Sequence, residues 1–408
     1  MTTPAEALQQ ILDRIVPLPP DRRPLRDVLG LAVAEDLRSR ARVPAFTNSA
    51  MDGYAVRAAD LAAASREHPV RLRVLGDLAA GDVHPGAVGP GEALRIMTGA
   101  PLPEGTDTVV PVEDTTRGED WVEIRKPFQR GIHIRLAGED LEVDQLLVKA
   151  GQGLRPGDIG ALAAAGFADL PVHPRARVAV LTTGDELVDV SEEPGPGCIR
   201  DANIHAVCAQ VAAYGAMPVP YPRVPDDRAS LRRALQEALE ADVVLTTGGI
   251  SVGDYDFMKD ILEELGAVRI FWKVTQKPGG PLGFWMLGTK PIFGIPGNPV
   301  AAMLMVEEYV RPALRKMMGF TKLHRPLAEA SLEGGWTGKA GDPRTTFLRV
   351  VARREGGGMQ ARLTGPQGSA ILSSMLLANA LALIPEGVDR VAPGGPVQLH
   401  LTEEAEDH

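Results

Sequence analysis

Hydrophobic positions along the chain fall into regimes of different period. In residues 5–16, AEALQQILDRIV, Leu8, Ile11, Leu12, Ile15 and Val16 share one face at helical spacing before Pro17-Leu-Pro-Pro ends the run, which predicts a short docking helix. From 45 to 138 the apolar residues alternate instead, as in Arg71-Leu-Arg-Val and Trp121-Val-Glu-Ile-Arg, between Gly and Pro turns; only 57–64 has a helical pattern. A small β-domain is predicted there. Residues 156–165 resume as an Ala-rich helix closed by Gly166, and 171–174 read as a linker. From 175 to about 320, apolar strands alternate with amphipathic helices. The strands are Arg177-Val-Ala-Val-Leu, Met217-Pro-Val-Pro, Ala241-Asp-Val-Val-Leu and Pro291-Ile-Phe-Gly-Ile. The helical faces carry Ile204, Val207, Cys208 and Val211, then Leu231, Leu235 and Leu239, then Phe257, Ile261, Leu262 and Leu265 before Gly266. Such alternation predicts a parallel sheet with crossover helices. After Arg325 the period becomes that of strands again, with Gly-rich turns at 334–341 and 355–358.

A chain of 408 residues is too long for one ordinary core. The pattern divides it into an elongated linker and docking domain (1–44 with 139–174), an inserted β-domain (45–138), an α/β domain (175–325) and a C-terminal β-domain (326–408). The fold class expected is therefore α/β plus β, with a central parallel sheet and a barrel-like C-terminal part. Hydrophobic and charged shares of 44% and 24% are those of a folded globular chain. The net charge of −10, with no long Lys/Arg run, argues against nucleic acid as a partner. Cys198 and Cys208 are too few for a disulfide framework and lack zinc spacing. No basic leader precedes an apolar segment, and no apolar run reaches the ~18 residues of a membrane span, so no membrane role and a cytoplasmic location are expected.

Candidate chemistry gathers where strands end. Residues 241–256, ADVVLTTGGISVGDYD, run from a strand into Gly248 and Gly249, then Ser251, Gly253, Asp254 and Asp256. The glycines allow a sharp turn with exposed N–H groups, and the following helix adds the positive end of its dipole, a setting for an anionic oxygen. Carboxylates beside an anion cradle imply a divalent cation, usually Mg²⁺ on phosphate oxygens. The alternative is a helix N-cap with a surface acid. The same grammar recurs: Thr182-Thr183-Gly184 leads to Asp185 and Glu186, and the next strand leads to Asp226 and Asp227. In an open α/β sheet, ligands bind outside the carboxyl ends of strands, so three strands deliver acids to one edge. A fourth ends in Pro296-Gly297-Asn298-Pro299, and Lys277-Pro-Gly-Gly offers a cation on a rigid turn. Together these pieces read as a Mg²⁺ and polyphosphate site.

In order along residues 44–377 stand Asn48-Ser-Ala-Met-Asp-Gly-Tyr-Ala, Arg95-Ile-Met-Thr-Gly-Ala-Pro-Leu-Pro, Thr183-Gly-Asp-Glu-Leu, Gly248-Gly-Ile-Ser-Val-Gly-Asp, Lys277-Pro-Gly, Ile295-Pro-Gly-Asn-Pro and Gly368-Ser-Ala-Ile-Leu-Ser-Ser. This series resembles the molybdopterin molybdenumtransferase family, which includes the C-terminal domain of gephyrin. The resemblance implies an elongated homodimer of four-domain subunits whose α/β domain is similar to molybdopterin adenylyltransferases. It implies that adenylylated molybdopterin and molybdate give molybdenum cofactor and AMP, with Mg²⁺. Among the acids Glu186, Asp226, Asp254 and Asp256, those at 186 and 256 match the family motifs best, and Glu186, Asp254 and Asp256 are the candidate metal ligands. Thr183, Gly184, Gly248, Gly249, Ser251 and Gly253 are candidates for phosphate, and Lys277 with Pro296, Gly297, Asn298 and Pro299 for an oxyanion. Asp52 and Thr98 are implied to reach the site from the other subunit; read without the family, Asp52-Gly53 and Thr98-Gly99 are turn pairs. Molybdopterin adenylyltransferase and apo-molybdoenzymes are the protein partners implied. The chain departs from the pattern at Gly280, where many relatives carry a second Lys, and at Ala301, where many carry Ser. Arg349 and Ser369 or Ser373 are candidates to compensate, and a Lys at Gly280 would restore the cation unless the turn needs a left-handed residue there. Two other readings use part of the same features: a metal-dependent pterin or nucleotide adenylyltransferase or pyrophosphatase, and a gephyrin-like scaffold.

Overall fold

A computed structural model describes residues 2–248 and 257–403, and the backbone of 406–407. The N-terminal helix, Pro4–Leu12, begins with a reciprocal cap: the Glu6 N–H donates to Thr3 Oγ1 and the Thr3 N–H to the Glu6 carboxylate. Ala7, Ile11 and Ile15 are buried against the helix Arg311–Met317, but Val16 is 61% exposed. The helix stops before Val16, so helical phase no longer sets where that side chain points.

Residues 171–174 are not a linker. Asp21–Pro24 pairs antiparallel with Asp169–Val172, setting Arg22 opposite Pro171. The other edge of this strand is bridged by residues 32–34, where the Pro171 carbonyl accepts from the Ala34 N–H at 2.9 Å. Behind the ribbon Val28, Val33, Leu154, Leu162, Leu170 and Val172 share one core, so segments far apart in sequence are packed together.

Between them a six-stranded sheet runs in the order Thr108–Pro111, Gly53–Val56, Glu92–Ile96, Val70–Leu78, Trp121–Ile124, Thr115–Arg117. Gly53 opens a strand rather than a turn. A Cβ there would lie 2.2 Å from the Val110 carbonyl oxygen of the neighbouring strand, so only glycine fits.

The central sheet comprises β1 (Arg177–Thr182), β2 (Met217–Pro220), β3 (Val243–Thr247), β4 (Val268–Lys273), β5 (Pro281–Leu287) and β6 (Lys290–Ile295), in the order β2-β1-β3-β6-β5-β4. β2, β1, β3 and β6 are parallel, with Thr182, Thr247 and Ile295 in register at their ends. Val178 and Val180 face a core shared with Val207, Val211, Phe293 and the N-terminal helix, whereas Ala179 and Leu181 face Leu231, Leu235, Ile261 and Trp285. Cover on both faces is why these strands read as unbroken apolar runs. After β6 the chain continues as Pro299–Met305, a π-helical turn Val306–Val310, and Arg311–Met317. The C-terminal part is a closed five-stranded barrel. Thr345–Glu355 pairs with both Gly358–Leu363 and Ala380–Ile384, and Leu327–Leu332 and Gly395–Leu401 complete the ring. No helix among the described residues is long and apolar enough to cross a membrane.

Candidate active site

The strand order reverses between β1 and β3, since the chain leaves β1 toward β2 on one side and returns to β3 on the other. Loops diverge there and open a crevice. Thr183 and Gly184 leave β1 at this point and Gly248 leaves β3. The Thr183 N–H donates to the Thr247 carbonyl at 3.1 Å and the Gly248 N–H to the Ile295 carbonyl at 3.2 Å. Gly248 has φ +87°, and a Cβ would sit 2.5 Å from the Thr183 carbonyl oxygen, so this turn requires glycine on two counts. The Thr183 hydroxyl is buried with no hydrogen-bond partner among the described residues.

Asp185, Glu186 and Asp226 converge on the same edge. The Asp226 N–H donates to Asp185 Oδ1 at 3.3 Å. Partial burial, then the charges of Asp185 and Glu186, push the Asp226 carboxyl above the usual aspartate range. Asp227 does not join them: its carboxylate accepts from the Ala229 and Ser230 N–H groups as the N-cap of Arg228–Ala238. Gly249, Ser251, Gly253, Asp254 and Asp256 lie outside the described residues. Among the described residues no group of three or more His, Cys, Asp or Glu is arranged to hold a metal ion.

A cleft of about 330 Å³ adjoins this edge, between the α/β unit and the barrel. Lys277, Gly280, Pro296, Asn298 and Ala301 line it from one side, and Arg344, Gln367 and Ser369 from the other. The turn bearing Lys277 is fixed by its own backbone: the Val274 N–H donates to the Gly280 carbonyl at 2.9 Å and Gln276 Nε2 to the Pro278 carbonyl at 3.0 Å. The Tyr309 hydroxyl donates to Gln276 Oε1 from beneath. Gly280 is not left-handed; Gly279 is, at φ +90°. The barrel loop meets Pro299–Met305 directly, because the Val300 N–H donates to the Ser369 carbonyl at 3.2 Å. This main-chain contact stands at a helix start where the Asn298 side chain makes no capping bond.

Arg349, a candidate for ligand contact, is fully buried instead. Its guanidinium donates to the carbonyls of Phe347 and Gly368 and to the Ser374 hydroxyl, each at 3.2 Å, and its own N–H donates to Gln367 Oε1 at 2.8 Å. Arg349 therefore shapes the loop that presents Gln367 and Ser369, through Ser374 rather than Ser373. The barrel's exposed cation in the cleft is Arg344. Arg344 forms two bonds of 2.7–2.8 Å to Asp342, whose carboxyl it pulls down to about 2, with Lys277 adding a smaller effect. No motif marks Arg344, since its relevance depends on the barrel docking against the Lys277 turn. Asn203 was equally invisible: its Nδ2 donates to Thr247 Oγ1 at 2.8 Å and to the Gly297 carbonyl at 2.7 Å, joining the ends of β3 and β6.

Asp52 and Thr98 meet each other but not this cleft. The Thr98 N–H and hydroxyl both donate to Asp52 Oδ1, at 2.7 and 2.6 Å, and these bonds lower the Asp52 pKa. Among the described residues no hydrogen bond or ion pair joins segment 45–138 to segment 175–325. A more apolar cavity of about 580 Å³ between the N-terminal helix, the long helix and the barrel holds none of the motif residues.

Three family descriptions match the chain in order: "MoeA N-terminal region (domain I and II)" over 2–166, "Probable molybdopterin binding domain" over 179–316, and "MoeA C-terminal region (domain IV)" over 337–402. The molybdopterin molybdenumtransferase of Bacillus subtilis is 37% identical over 385 residues, covering 93% of this chain and 89% of that protein. Molybdopterin molybdenumtransferase 2 of Mycobacterium tuberculosis is 38% identical over 382 residues, covering 92% and 93%. Among solved structures, the molybdopterin biosynthesis MoeA protein of Pyrococcus horikoshii superposes with a TM-score of 0.84 at 31% identity, over 99% of this chain and 100% of that one. Motif order, strand-end geometry and full-length similarity agree: the chain belongs to the molybdopterin molybdenumtransferase family of transferases.

Proposed function

We propose that this protein inserts molybdenum from molybdate into adenylylated molybdopterin, with release of AMP, at the carboxyl edge of its α/β sheet. The observation that carries the reading is the cleft with two cations, Lys277 and Arg344, beside strand ends crowded with carboxylates. A tetrahedral dianion such as molybdate needs fixed positive charge and donors on several sides. Lys277 supplies a point charge, Arg344 the N–H donors left over from its two bonds to Asp342, and Ser369, Gln367 and Asn298 neutral polar groups. The backbone N–H groups and glycines after β1 and β3 suit the pyrophosphate that joins pterin to AMP, the linkage that must break.

Mg²⁺ would suit the acids of this edge, because the charges of Asp185 and Glu186 disfavour ionisation of Asp226 and a hard cation relieves that. Glu186, Asp254 and Asp256 would hold it, with Asp226 beside them, and when bound it would neutralise phosphate charge. Asp52, kept ionised and oriented by Thr98, lies beside a sheet with no bond to this edge among the described residues; in a homodimer the partner subunit would present it. The enzyme would work in the cytoplasm, take its nucleotide substrate from a molybdopterin adenylyltransferase and pass its product to apo-molybdoenzymes.

The deciding experiment incubates the protein with adenylylated molybdopterin, Mg²⁺ and molybdate and measures AMP together with activation of an apo-molybdoenzyme. Molybdate-dependent AMP release with activation is expected. AMP release indifferent to molybdate would instead mark a pyrophosphatase, and neither product would leave a scaffold.

A further inference from the structure

A second charged cavity, of about 410 Å³, lies between the long helix and the other side of the barrel. Its floor is an ion network around Glu307, a carboxylate only 5% exposed, carried on the π-helical turn. Arg325 donates to Glu307 through Nε at 2.7 Å and Nη2 at 3.2 Å, the Tyr214 hydroxyl donates at 2.7 Å, and Arg311 Nε stands 3.7 Å away. A third guanidinium, Arg315, lies over the Phe320 ring at 4.1 Å and donates through Nε to the Lys322 carbonyl at 2.6 Å. The barrel contributes Thr402 and Glu403 to the opposite wall.

Three guanidiniums face Glu307 and Glu403, and Glu308 also acts on Arg325. Among the described residues, both terminal nitrogens of Arg315, Nη2 of Arg311 and Nη1 of Arg325 have no hydrogen-bond partner. Burial, then the neighbouring Arg325 charge, lowers the Arg311 pKa to about 10 and lowers that of Arg315 as well. Unpaired donors on partly buried cations that repel one another are the condition an anion relieves. Gln210 Oε1, buried without a partner on the same wall, can accept the proton of a monoprotonated oxyanion.

We infer that this cavity is a binding site for a phosphate-class oxyanion, separate from the Lys277 cleft, with Arg315 as its principal ligand. Arg311 and Arg325 close the floor and Thr402 offers a hydroxyl from the barrel, so the bound ion bridges the barrel to the α/β unit. The ion is either free phosphate or the phosphate of a small monoester.

The test titrates inorganic phosphate, and separately glycerol 3-phosphate, calorimetrically into the full chain carrying Lys277→Ala, which removes the cation of the other cleft. One saturable phosphate site is expected, and adding Arg315→Met, which keeps the apolar stem over Phe320, should weaken it at least tenfold. Should that chain fail to fold, Arg315→Lys keeps the charge, removes the fork and should still weaken binding several-fold. Tighter binding of the ester than of phosphate identifies a monoester as the natural ligand, and the reverse identifies the free ion. No saturable site in the Lys277→Ala chain, or an affinity that survives substitution of Arg315, overturns the assignment.

Discussion

At the scale of single residues, two adjacent glycines separate strain from electrostatics. A Cβ on Gly280 would meet only the Val274 and Gln276 carbonyl oxygens, at 3.6 and 3.7 Å, in an ordinary backbone conformation. Gly280→Lys should therefore leave the thermal midpoint unchanged and lower the molybdate concentration for half-maximal insertion about fivefold, since an added cation near an anion is worth about 1 kcal/mol and is screened by salt. Gly279 is the strained position: its Cβ would lie 2.6 Å from Met305 Cε at φ +90°. Gly279→Ala should cost about 1–3 kcal/mol in urea unfolding, and a neutral result would show that the turn can relax. Asp226 gives a pH signature. Because its folded pKa is raised, the folded state holds the proton more tightly, and stability falls as pH rises from the ordinary aspartate value through the raised one. Asp226→Asn should thus raise the thermal midpoint slightly at neutral pH while lowering turnover, and the stability difference should vanish in acid below the normal aspartate range. A midpoint that drops at neutral pH would show that the carboxylate is stabilised rather than crowded.

At the scale of elements, Asn203 is the joint between β3 and the loop after β6. Asn203→Ala removes two hydrogen bonds at about 1 kcal/mol each. It should lower stability modestly and raise the half-saturating molybdate concentration more than it changes the maximal rate, because Pro296 and Asn298 line the cleft. Equal loss in both kinetic parameters with an unchanged midpoint would place Asn203 in the chemistry instead. The Asn lies two residues into the helix Ala202–Ala213, whose start is fixed by Asp201 accepting from the Ile204 N–H at 3.1 Å. Sequence made the helix legible through its apolar face, whereas its tie to Gly297, far along the chain, depends on β1 and β6 flanking β3. The same cause hid the ribbon Asp21–Pro24 with Asp169–Val172, whose partners are too remote for periodicity to pair.

At the scale of the whole molecule, Asp52 and Thr98 lie beside a sheet that, among the described residues, makes no hydrogen bond or ion pair to the α/β edge. If the partner subunit completes the site, chains bearing Asp52→Ala and chains bearing Asp256→Asn should each be inactive alone. Mixed dimers should recover a fraction of wild-type AMP release, since one of their two sites keeps both acids. Verified heterodimers without activity would confine the site to one subunit.

The sequence by itself determined the four parallel strands, the helices between them and the placing of glycines and acids at strand ends, because period and turn chemistry are local. It placed Lys277, Thr183, Gly248 and Asp226 each within a few residues of an apolar strand whose end is readable. It could not show that Asp227 caps a helix or that Arg349 is buried beneath its loop, because a carboxylate or guanidinium looks the same in sequence whichever group it meets. Tertiary structure alone decided that Arg344 faces Lys277, that Asn203 joins two strand ends and that two arginines share one buried glutamate. Those contacts arise where independently folded parts dock, and docking is set by the shape and charge of surfaces assembled from distant segments.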